Sequence, residues 1–457
     1  DEVHYQLIKH LPESSLQVLL DIYNKIWETG NFPDSWREAT IIPIPKAGKD
    51  STIPTNYRPI TLTSCLCKTK ERMINTRLVW FQSGFRHGRS TIDQLIRLET
   101  KIRDAFINKE HMVTIFFDLE KAYDTTWKHG IMEDLHNMGL RGRMPLFIQN
   151  FLSGRNFKVR LGATLSESQD QDMGVPQGSI LSVTLFSIKI NGIVKVVKSE
   201  IDNSLFVDDF SISYASRSMS TIERQLQGCL NKLQNWADQN GFRFSKTKTV
   251  CVHFCQKTKL HLDPTLTLDG NPIPVVKEAK FLGLTFDSKL SFIPHIKYLR
   301  RKCQKSLNLL KVVSKLDWGG DRRTLLRLYR SLIRSKLDYG ATIYGSARKS
   351  YPIQNQALRL CLGAFRTSPI ESLHIEANEL PLNIRREKLA LQYSLKLITN
   401  TENPAHDITF NPKNTNLYEA KAKAIPPFGI CIQDDLMNVC PDLKQVALYQ
   451  IPHEPPW

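Results

Sequence analysis

The chain has 457 residues, 41% of them hydrophobic, which is enough for a large buried core divided among about two to four structural units. Its formal net charge of +17 favours a polyanionic partner, and nucleic acid fits better than an anionic membrane. No apolar run reaches the length of a membrane-spanning helix, and nine cysteines at scattered spacings argue against a disulfide framework. We therefore expect a soluble, intracellular protein with reduced thiols.

The first third of the chain alternates helical and strand patterns. Apolar residues recur at helical spacing over residues 16–27, and Gly30 predicts the end of that helix. Residues 39–45 predict a short strand, and residues 91–106 predict a second helix. The apolar segment 112–118 then predicts a buried strand that ends on an aspartate. Together these patterns predict an α+β fold.

Two adjacent aspartates, Asp208 and Asp209, lie in an otherwise apolar stretch, LFVDDF. Charge is costly away from water, and like charges at contact distance raise each other's pKa, so the pair requires a turn or a cation. Strand-like segments on both sides, 204–207 and 210–213, predict a hairpin with the aspartate pair as its turn.

The helix after this hairpin carries signals at both ends. Ser220 and Glu223 have the spacing of a capping box, and Gly241 predicts the end of the helix. Apolar residues between Ile222 and Trp236 recur on one face, which predicts packing against the preceding sheet.

Cysteine and histidine are concentrated shortly after this helix. Alternation in the segment TVCVHFC predicts a strand with Cys251, His253 and Cys255 on one face, and His261 follows closely. No second pair of ligands follows downstream, so the pattern favours packed or surface thiols over a zinc site.

Two amphipathic basic helices are predicted over 296–313 and 324–337. Between Lys297 and Lys336 there are thirteen Lys or Arg residues against two Asp. An inward apolar stripe in the first helix would leave Arg300, Arg301, Lys302 and Lys305 on the outside, where they could lie along phosphates or form only a solvated face. Beyond about residue 400 the sequence becomes rich in Pro and Asn, which is typical of a linker or tail.

Three carboxylates stand out when the chain is considered as a whole. Asp118 ends the predicted buried strand, and Asp208 and Asp209 occupy the predicted hairpin. Oxygen ligands of this kind suit two Mg²⁺ ions that bridge phosphates and activate a hydroxyl nucleophile. The segment GVPQGSILS, residues 174–182, adds two glycines that permit close backbone approach to a ligand and an amide at Gln177.

Several segments resemble the motifs of one enzyme family in their order along the chain. FFDLEKAYD, GVPQGSILS, FVDD, FSKTKT and KFLGLTFD are similar to the palm motifs of reverse transcriptases from non-LTR retrotransposons, in particular jockey-like elements of arthropods. IIPIPKAGKD, NYRPITL and QSGFRHGRSTIDQL are similar to the preceding fingers motifs. The resemblance extends from about residue 5 to about residue 400, and the ordered set is far more specific than any single motif.

The resemblance implies a role for each residue of the expected active site. Asp118, Asp208 and Asp209 would hold two Mg²⁺ ions, for which Mn²⁺ can substitute. Tyr123 would exclude a ribose 2′-hydroxyl, and Lys248 would protonate the leaving pyrophosphate; the alternatives are a core tyrosine and a solvent-exposed lysine. The remaining assignments are nucleotide binding by Lys46, Arg58, Gln177 and Gly178, and primer or template binding by Phe281, Leu282, Gly283, Arg300, Arg301 and Lys305.

The resemblance also implies a right-hand polymerase fold, with fingers, a palm of antiparallel sheet plus helices, and a helical thumb. The expected divisions are residues 1–40 as an N-terminal helical extension, 41–288 as fingers and palm, 289–400 as a basic thumb-like region, and 401–457 as a poorly ordered tail or linker.

The implied function is an RNA-directed DNA polymerase that extends a DNA 3′ end. Its expected partners are an RNA template, a DNA primer or target site and deoxynucleoside triphosphates, with no membrane. We expect a ribonucleoprotein that forms in the cytoplasm and acts in the nucleus. Because the chain begins at Asp1 rather than Met, we expect a fragment of an element that also supplies an endonuclease and an RNA-binding partner protein.

Departures from the family pattern keep two alternatives open. The passage from Trp80 to Gln82 and the region near residues 346–360 look shortened, Val183 replaces a usual Pro, and Ser245 replaces a usual Asn. These changes suit a catalytically decayed relic that still binds nucleic acid. An RNA-dependent RNA polymerase is disfavoured, because Val207 and Tyr123 occupy positions where that class usually has Gly and a polar residue.

Overall fold

The computed structural model describes residues 3–46, 48–78, 88–257, 262–315, 317–345, 352–421 and 423–439. None of the helices in these ranges combines the length and the apolar character needed to cross a membrane. The apparent deletion around residues 80–82, the contraction near 346–351 and His261 lie outside the described residues.

The strands of the described residues occur mainly in the first two thirds of the chain. In chain order they are β1 (Glu38–Pro45), β2 (Tyr57–Leu62), β3 (His111–Phe117), β4 (Asn156–Leu161), β5 (Thr164–Leu165), β6 (Gln169–Asp170), β7 (Asp202–Phe206), β8 (Asp209–Ser216), β9 (Val250–Phe254), β10 (Thr267–Leu268), β11 (Asn271–Pro272), β12 (Glu278–Phe281) and β13 (Leu284–Asp287).

Helices occur throughout, and after β13 the regular elements in the described ranges are all helical. In chain order they are α1 (Tyr5–Lys9), α2 (Glu13–Thr29), α3 (Cys65–Leu78), α4 (Thr91–Ile107), α5 (Ala122–Thr125), α6 (Lys128–Asn137), α7 (Arg143–Leu152), α8 (Ile180–Ile190), α9 (Gly192–Val196), α10 (Met219–Asn240), α11 (Ile293–Val313), α12 (Arg322–Tyr329), α13 (Ser335–Asp338), α14 (Ala341–Tyr344), α15 (Pro352–Leu362), α16 (Ile370–Ala377), α17 (Leu382–Ile398), α18 (His406–Phe410), α19 (Thr415–Glu419) and α20 (Phe428–Val439). A π-helical segment, Arg330–Arg334, joins α12 to α13.

The central sheet is antiparallel, with the strand order β7-β8-β3-β9. Every residue of β3 is buried. Val113, Ile115 and Phe117 pack into one apolar cluster with α8 and α10, whereas Met112 and Phe116 pack into a second cluster with α4 and β12. A strand covered on both faces needs apolar residues at nearly every position, which explains the continuous apolar run in the sequence.

A second sheet has the strand order β2-β1-β4-β5, with β6 also paired to β4. β1 pairs with β2 in antiparallel and with β4 in parallel orientation. The amide of Thr61 in β2 donates a 2.9 Å hydrogen bond to the carbonyl oxygen of Gln177. This contact links the second sheet to the glycine-containing loop before α8.

The predicted hairpin is present, but its turn differs by one residue from the prediction. Phe206 pairs with Asp209, so the two-residue turn consists of Val207 and Asp208, and Asp209 is the first residue of β8. Val207 has φ 60°, which is unfavourable for a β-branched residue and places an uncommon conformation next to the aspartates.

The capping box predicted for Ser220 and Glu223 was wrong. The helix begins two residues earlier than predicted, with Ser218 as its N-cap. Glu223 Oε1 instead accepts a 2.8 Å hydrogen bond from the amide of Thr265. The predicted end is correct, because Gly241 caps the helix in the left-handed conformation.

The region from residue 401 also differs from the predicted linker. Residues 406–439 contain α18, α19 and α20, and Phe428, Ile432 and Leu436 are buried in the cluster that includes α4. Lys421 Nζ donates to the carbonyl oxygen of Ile107 at 3.0 Å. The four-residue spacing of the buried residues in α20 is a helical signal that the preceding Pro- and Asn-rich segment obscured.

Candidate active site

Three carboxylates meet at one end of the central sheet. Phe117 pairs with Phe210 across β3 and β8, so Asp118 and Asp209 follow as the next opposed positions of the ladder. Asp208 lies beside them in the hairpin turn. The charges of both Asp118 and Asp208 act on Asp209, in keeping with their neighbouring positions in the strand pairing.

The electrostatics of this end of the sheet favour a cation. The pKa of the Asp209 carboxyl is raised to about 6, first by desolvation and then by the negative charges of Asp208 and Asp118. The positive charge of Lys280 opposes this shift. Lys248 Nζ donates to Asp118 Oδ2 at 2.9 Å, and the Asp118 side chain remains 40% exposed. The acids therefore remain accessible to a ligand from solvent.

A short segment after α10 holds Asp118 and Lys248 together. The amide of Ser245 donates to the carbonyl oxygen of Asp118 at 2.7 Å, and the amide of Thr249 donates to the carbonyl oxygen of Ser245 at 3.0 Å. Ser245 and Thr249 are both buried. Lys248 is thus attached to a fixed backbone segment, and it contacts the first acid although 130 residues separate them.

Tyr123 lies on the short helix α5, next to the acids. Its ring stacks on Phe186 of α8 with centroids 4.6 Å apart, and its carbonyl oxygen accepts a hydrogen bond from Val175. Desolvation and the charge of Asp208 raise the pKa of Tyr123 to about 12. The side chain is half-buried and packs against the apolar cluster of the central sheet, so a packing role and a role beside the nucleotide both fit its position.

The loop 174–179 needs its glycines for close backbone contact. Gly178 has φ 120°, and a Cβ atom there would collide with the carbonyl oxygen of Thr61. Gly174 has φ 77°, and a Cβ atom would lie 2.6 Å from the carbonyl oxygen of Asp124. Both glycines are therefore required for local packing, and Gln177 lies half-buried between the two sheets.

Sequence reasoning missed Glu71, which organises the same loop. This fully buried residue of α3 accepts hydrogen bonds from the Ser179 hydroxyl, from the Ile180 amide at 2.7 Å and from the Leu181 amide at 3.1 Å. A carboxylate at a helix N-terminus satisfies amides that have no partner within the helix. Nothing in the local sequence signals this contact, because more than 100 residues separate the partners.

The two cations predicted to bind the triphosphate lie on the β1–β2 sheet. Lys46 directly follows β1, and its Nζ donates to the carbonyl oxygen of Thr55 at 2.9 Å. Arg58 lies on β2 opposite Ile44, is exposed, and is three residues from Thr61, which contacts the loop 174–179. Arg58 is thus the more exposed of the two cations.

Phe281, Leu282 and Gly283 form the end of the β12–β13 hairpin. Phe281 is only 3% exposed and packs on Phe116, and Leu282 is also buried. The Leu282 carbonyl oxygen accepts a 2.7 Å hydrogen bond from the Tyr339 hydroxyl. A primer contact here would therefore involve backbone rather than these apolar side chains.

Lys280, which precedes this hairpin end, is a second residue that sequence reasoning missed. It is exposed, it acts electrostatically on Asp209, and its Nζ lies 3.3 Å from the Tyr298 hydroxyl. Lys302 Nζ lies 4.8 Å from the centre of the same ring. Hydrogen bonds from Lys302 and Lys280 lower the pKa of Tyr298. The alternation of β12, with Ala279 and Phe281 buried, was the available signal.

The basic helices have two kinds of cation. On α11 the apolar stripe is buried as predicted, and Arg300, Arg301 and Lys305 are exposed. In the segments that follow, Arg330 and Arg334 both pair with the buried Glu379, at 2.6 and 2.9 Å. The cationic surface is therefore centred on α11, and part of the positive charge counted in the sequence holds helices together.

The acid cluster has the donor set that a divalent metal of the Mg²⁺ type prefers, because its three ligands are carboxylates and two of them are exposed. The raised pKa of Asp209 reflects desolvation first and repulsion from Asp208 and Asp118 second, and a bound cation would relieve the repulsion. The residues present thus fit a metal site.

The antiparallel sheet with acids at the ends of neighbouring strands has the architecture expected of a polymerase palm. Residues 44–286 match the family reverse transcriptase (RNA-dependent DNA polymerase), and the chain belongs to this family. The expected α+β polymerase fold and the expected resemblance to jockey-like elements are confirmed.

Two relatives from Drosophila melanogaster illustrate the match. The RNA-directed DNA polymerase from mobile element jockey is 31% identical over 399 residues, covering 81% of this chain and 43% of that protein. The protein of transposon BS is 30% identical over 382 residues, covering 79% of this chain and 42% of that protein. The chain spans less than half the length of these curated relatives.

Among solved structures, telomerase from Candida tropicalis in complex with a fragment of telomeric RNA is similar at 13% identity. The TM-score is 0.40, with 90% of this chain and 68% of that chain covered. This likeness is too distant to bear on the site.

Proposed function

We propose that this chain is the RNA-directed DNA polymerase part of a retrotransposon protein, which extends a DNA 3′ end on an RNA template. The observation that carries the proposal is the convergence of Asp118, Asp208 and Asp209 at one end of the central sheet, with the pKa of Asp209 raised to about 6. Acids that repel one another at an accessible strand end lower the stability of the fold, so their presence there indicates a role in chemistry.

Asp118, Asp208 and Asp209 would hold two Mg²⁺ ions, or Mn²⁺ in their place. When bound, the ions supply positive charge to the primer 3′-hydroxyl and to the triphosphate. In the reaction, the primer 3′-hydroxyl loses its proton to solvent and its oxygen forms a bond to the α-phosphorus. The bond between the α-phosphorus and the bridging oxygen of the β-phosphate breaks, and pyrophosphate leaves. Lys248, held on Asp118, is the proposed proton donor for that leaving group.

The neighbouring residues would bind and select the nucleotide. Arg58 and Lys46 supply positive charge to the triphosphate from the second sheet, and Gln177 and Gly178 would border the base and sugar. Tyr123 is held by stacking on Phe186 and is close enough for Asp208 to raise its pKa, so its ring would limit the space beside the ribose 2′ position.

Within this proposal, residues 41–288 act as fingers and palm, and residues 289–400 act as a thumb. Exposed Arg300, Arg301 and Lys305 would contact phosphates of the template-primer duplex. RNA template, DNA primer or target site and deoxynucleoside triphosphates are the proposed partners. The proposed setting is a cytoplasmic ribonucleoprotein that acts in the nucleus, with an endonuclease and an RNA-binding protein from the same element.

The decisive experiment is extension of oligo(dT) on poly(rA) with Mg²⁺. We expect dTTP incorporation by the wild-type chain, and a loss of roughly 10²–10³-fold or more in Asp208→Ala, because charge stabilisation of the transition state is lost. Asp202→Ala is the matched control, since Asp202 lies in the same hairpin and pairs with Lys101 instead. It should retain activity.

The same assay distinguishes the alternatives. A wild-type chain that binds the template-primer duplex but incorporates no dTTP would be a nucleic-acid-binding relic. Preferential incorporation of UTP over dTTP would instead indicate an RNA polymerase. Equal activity of wild type and Asp208→Ala would refute the proposed active site.

A further inference from the structure

We propose a second metal site, of the zinc type, formed by His111, His253 and Cys255 at the end of the central sheet opposite the acids. One ligand atom from each of these three buried residues lies within 4.8 Å of the other two. His111 begins β3, and Asp118 follows its other end. Asp118 is seven positions after His111, which corresponds to roughly 23 Å at the rise of a β-strand.

The ladder between β3 and β9 explains how these residues meet. Val113 pairs with His253 and Met112 pairs with Phe254, so Cys255 follows as the position opposite His111. All three side chains therefore project from the same face of the sheet. Cys251 shares this face but packs in the apolar cluster further along, which is why the ligand set includes His111 and not Cys251.

Groups around the cluster are arranged as they are around metal ligands. Asp263 Oδ1 lies 2.9 Å from His253 Nδ1, which directs His253 Nε2 towards the cluster. A carboxylate on the outer nitrogen is the usual partner of a metal-bound histidine. The amide of Lys257 donates to Cys255 Sγ at 3.3 Å, a contact that stabilises a thiolate.

The backbone beside the thiol is also fixed. Lys289 Nζ donates to the carbonyl oxygens of Cys255 and Lys257, at 2.6 and 3.1 Å, and the Cys255 amide donates to Ser288. The backbone that carries the thiol is therefore held next to the two imidazoles.

A chain of hydrogen bonds currently connects the same atoms. Lys257 Nζ lies 2.9 Å from His111 Nε2, His111 Nδ1 lies 2.9 Å from His253 Nε2, and His253 Nδ1 contacts Asp263. A metal ion would take the place of the proton shared by the two imidazoles. The His111 proton would move from Nδ1 to Nε2 and only the Cys255 thiol proton would leave, so proton loss would offset half of the charge of the incoming divalent ion.

The position of Lys257 gives the proposal a specific consequence. When His111 Nδ1 binds a metal, its Nε2 carries the proton and can no longer accept a hydrogen bond from Lys257. Lys257 must then turn away. Its ammonium therefore competes with the metal, and removal of that ammonium should strengthen metal binding.

Two imidazoles and one thiolate select a borderline-soft ion such as Zn²⁺ over Mg²⁺. The fourth position of a tetrahedral site would be filled by water. Because the site is buried and far from the acids, its role would be structural. It would join the first residue of β3 to the residue that follows β9, one position beyond the last pair of that ladder, Met112 with Phe254.

Metal content of the purified chain tests the site. After dialysis against metal-free buffer we expect about one zinc per chain in wild type, and none in Cys255→Ser or His111→Gln. Cys229→Ser is the matched control, because Cys229 is a buried cysteine of α10 outside the cluster. It should retain zinc. Zinc content of wild type near zero even after refilling, or zinc that survives Cys255→Ser, would refute the site.

A titration of metal-stripped wild type with Co²⁺ avoids dependence on how well the variants fold. A thiolate-to-cobalt absorption band should appear in wild type and in Cys229→Ser, and its absence from wild type would overturn the proposal. Lys257→Met should bind Co²⁺ roughly tenfold more tightly, the size typical of a group next to metal ligands. Unchanged or weaker binding in Lys257→Met would contradict the arrangement of protons proposed here.

Discussion

The two ends of strand β3 carry opposite kinds of chemistry. Asp118 and its neighbours present carboxylates that remain partly exposed, whereas His111 and its neighbours present imidazole and thiol groups that are buried. Both clusters combine a residue at one end of β3 with residues of an adjacent strand. One sheet therefore positions two groups of ligands, and the surroundings decide what each group can bind.

The difference shows how exposure and ligand type act together. Exposed carboxylates suit a hard, hydrated ion that must share its coordination with a substrate. Buried imidazole and thiolate ligands suit an ion that is retained in the structure. We expect changes at the acid end to affect the reaction, and changes at the histidine end to affect stability.

The largest predicted effect is a loss of kcat in variants at the acid end of β3 that variants at the histidine end do not show. Asp118→Asn or Asp209→Asn should lower kcat for dTTP incorporation by roughly 10²–10³-fold or more, because the negative charge that holds the ions is lost. His253→Gln should change kcat by less than about threefold, since it lies far from the reacting atoms. Primer extension under saturating substrate measures both. A loss of kcat in His253→Gln as large as that in the aspartate variants would contradict the expectation that only the acid end affects the reaction.

The second prediction compares the cationic surfaces near the two ends. Replacing Arg300, Arg301 and Lys305 by Gln should lower the slope of log affinity against log salt by up to about 3 units, because fewer counterions are released. Binding of template-primer duplex at several salt concentrations measures the slope.

The matched control changes three cations at the other end of the sheet, Lys109, Lys421 and Lys423, which line one cavity. These substitutions should leave the slope within about 1 unit of wild type. Equal slopes for wild type and the α11 variant would show that the α11 face is only a solvated surface.

The third prediction concerns nucleotide choice at the acid end. Tyr123→Val should lower the preference for dTTP over UTP by at least about tenfold, because removing the ring removes the clash with a 2′-hydroxyl. The ratio of kcat/KM values for the two nucleotides measures this preference. An unchanged ratio would assign Tyr123 to packing alone, and Tyr214→Val, a change on β8 away from the acids, controls for loss of packing.

The smallest predicted effect concerns the stability of the metal-free chain. The pKa of Asp209 is raised to about 6 in the folded chain, so its ionisation opposes folding, and this cost is complete above pH 6. Asp209→Asn should therefore raise Tm by about 1–3 °C at pH 8 with EDTA present.

The advantage of Asp209→Asn should shrink as pH falls from 6 towards 4, because the wild-type carboxyl becomes protonated in the folded chain. Thermal unfolding at pH 8 and pH 4.5 measures the change. Asp202→Asn, which loses its ion pair with Lys101, should show no such rise. A Tm difference for Asp209→Asn that is the same at both pH values would contradict this account of Asp209.

Sequence patterns were sufficient where neighbouring residues decide the outcome. The helix before Gly30, the strand before Asp118 and the hairpin around Asp208 follow from local periodicity and from turn or cap residues. The order of the palm motifs was enough to predict the family and the polymerase fold. The acids were found because charge at the end of an apolar strand is conspicuous in the sequence itself.

Packing between distant segments decided the features of the fold and of the two clusters that local sequence patterns did not predict. Glu71 organises a loop more than 100 residues away, and His111 meets His253 across 142 residues. α20 is buried against α4, although the preceding sequence resembles a linker. Local periodicity reports which face of an element is apolar, but it does not report which element covers that face. The register between β3 and β9, which brings His111 to Cys255, depends on that tertiary packing and was not encoded in any local pattern.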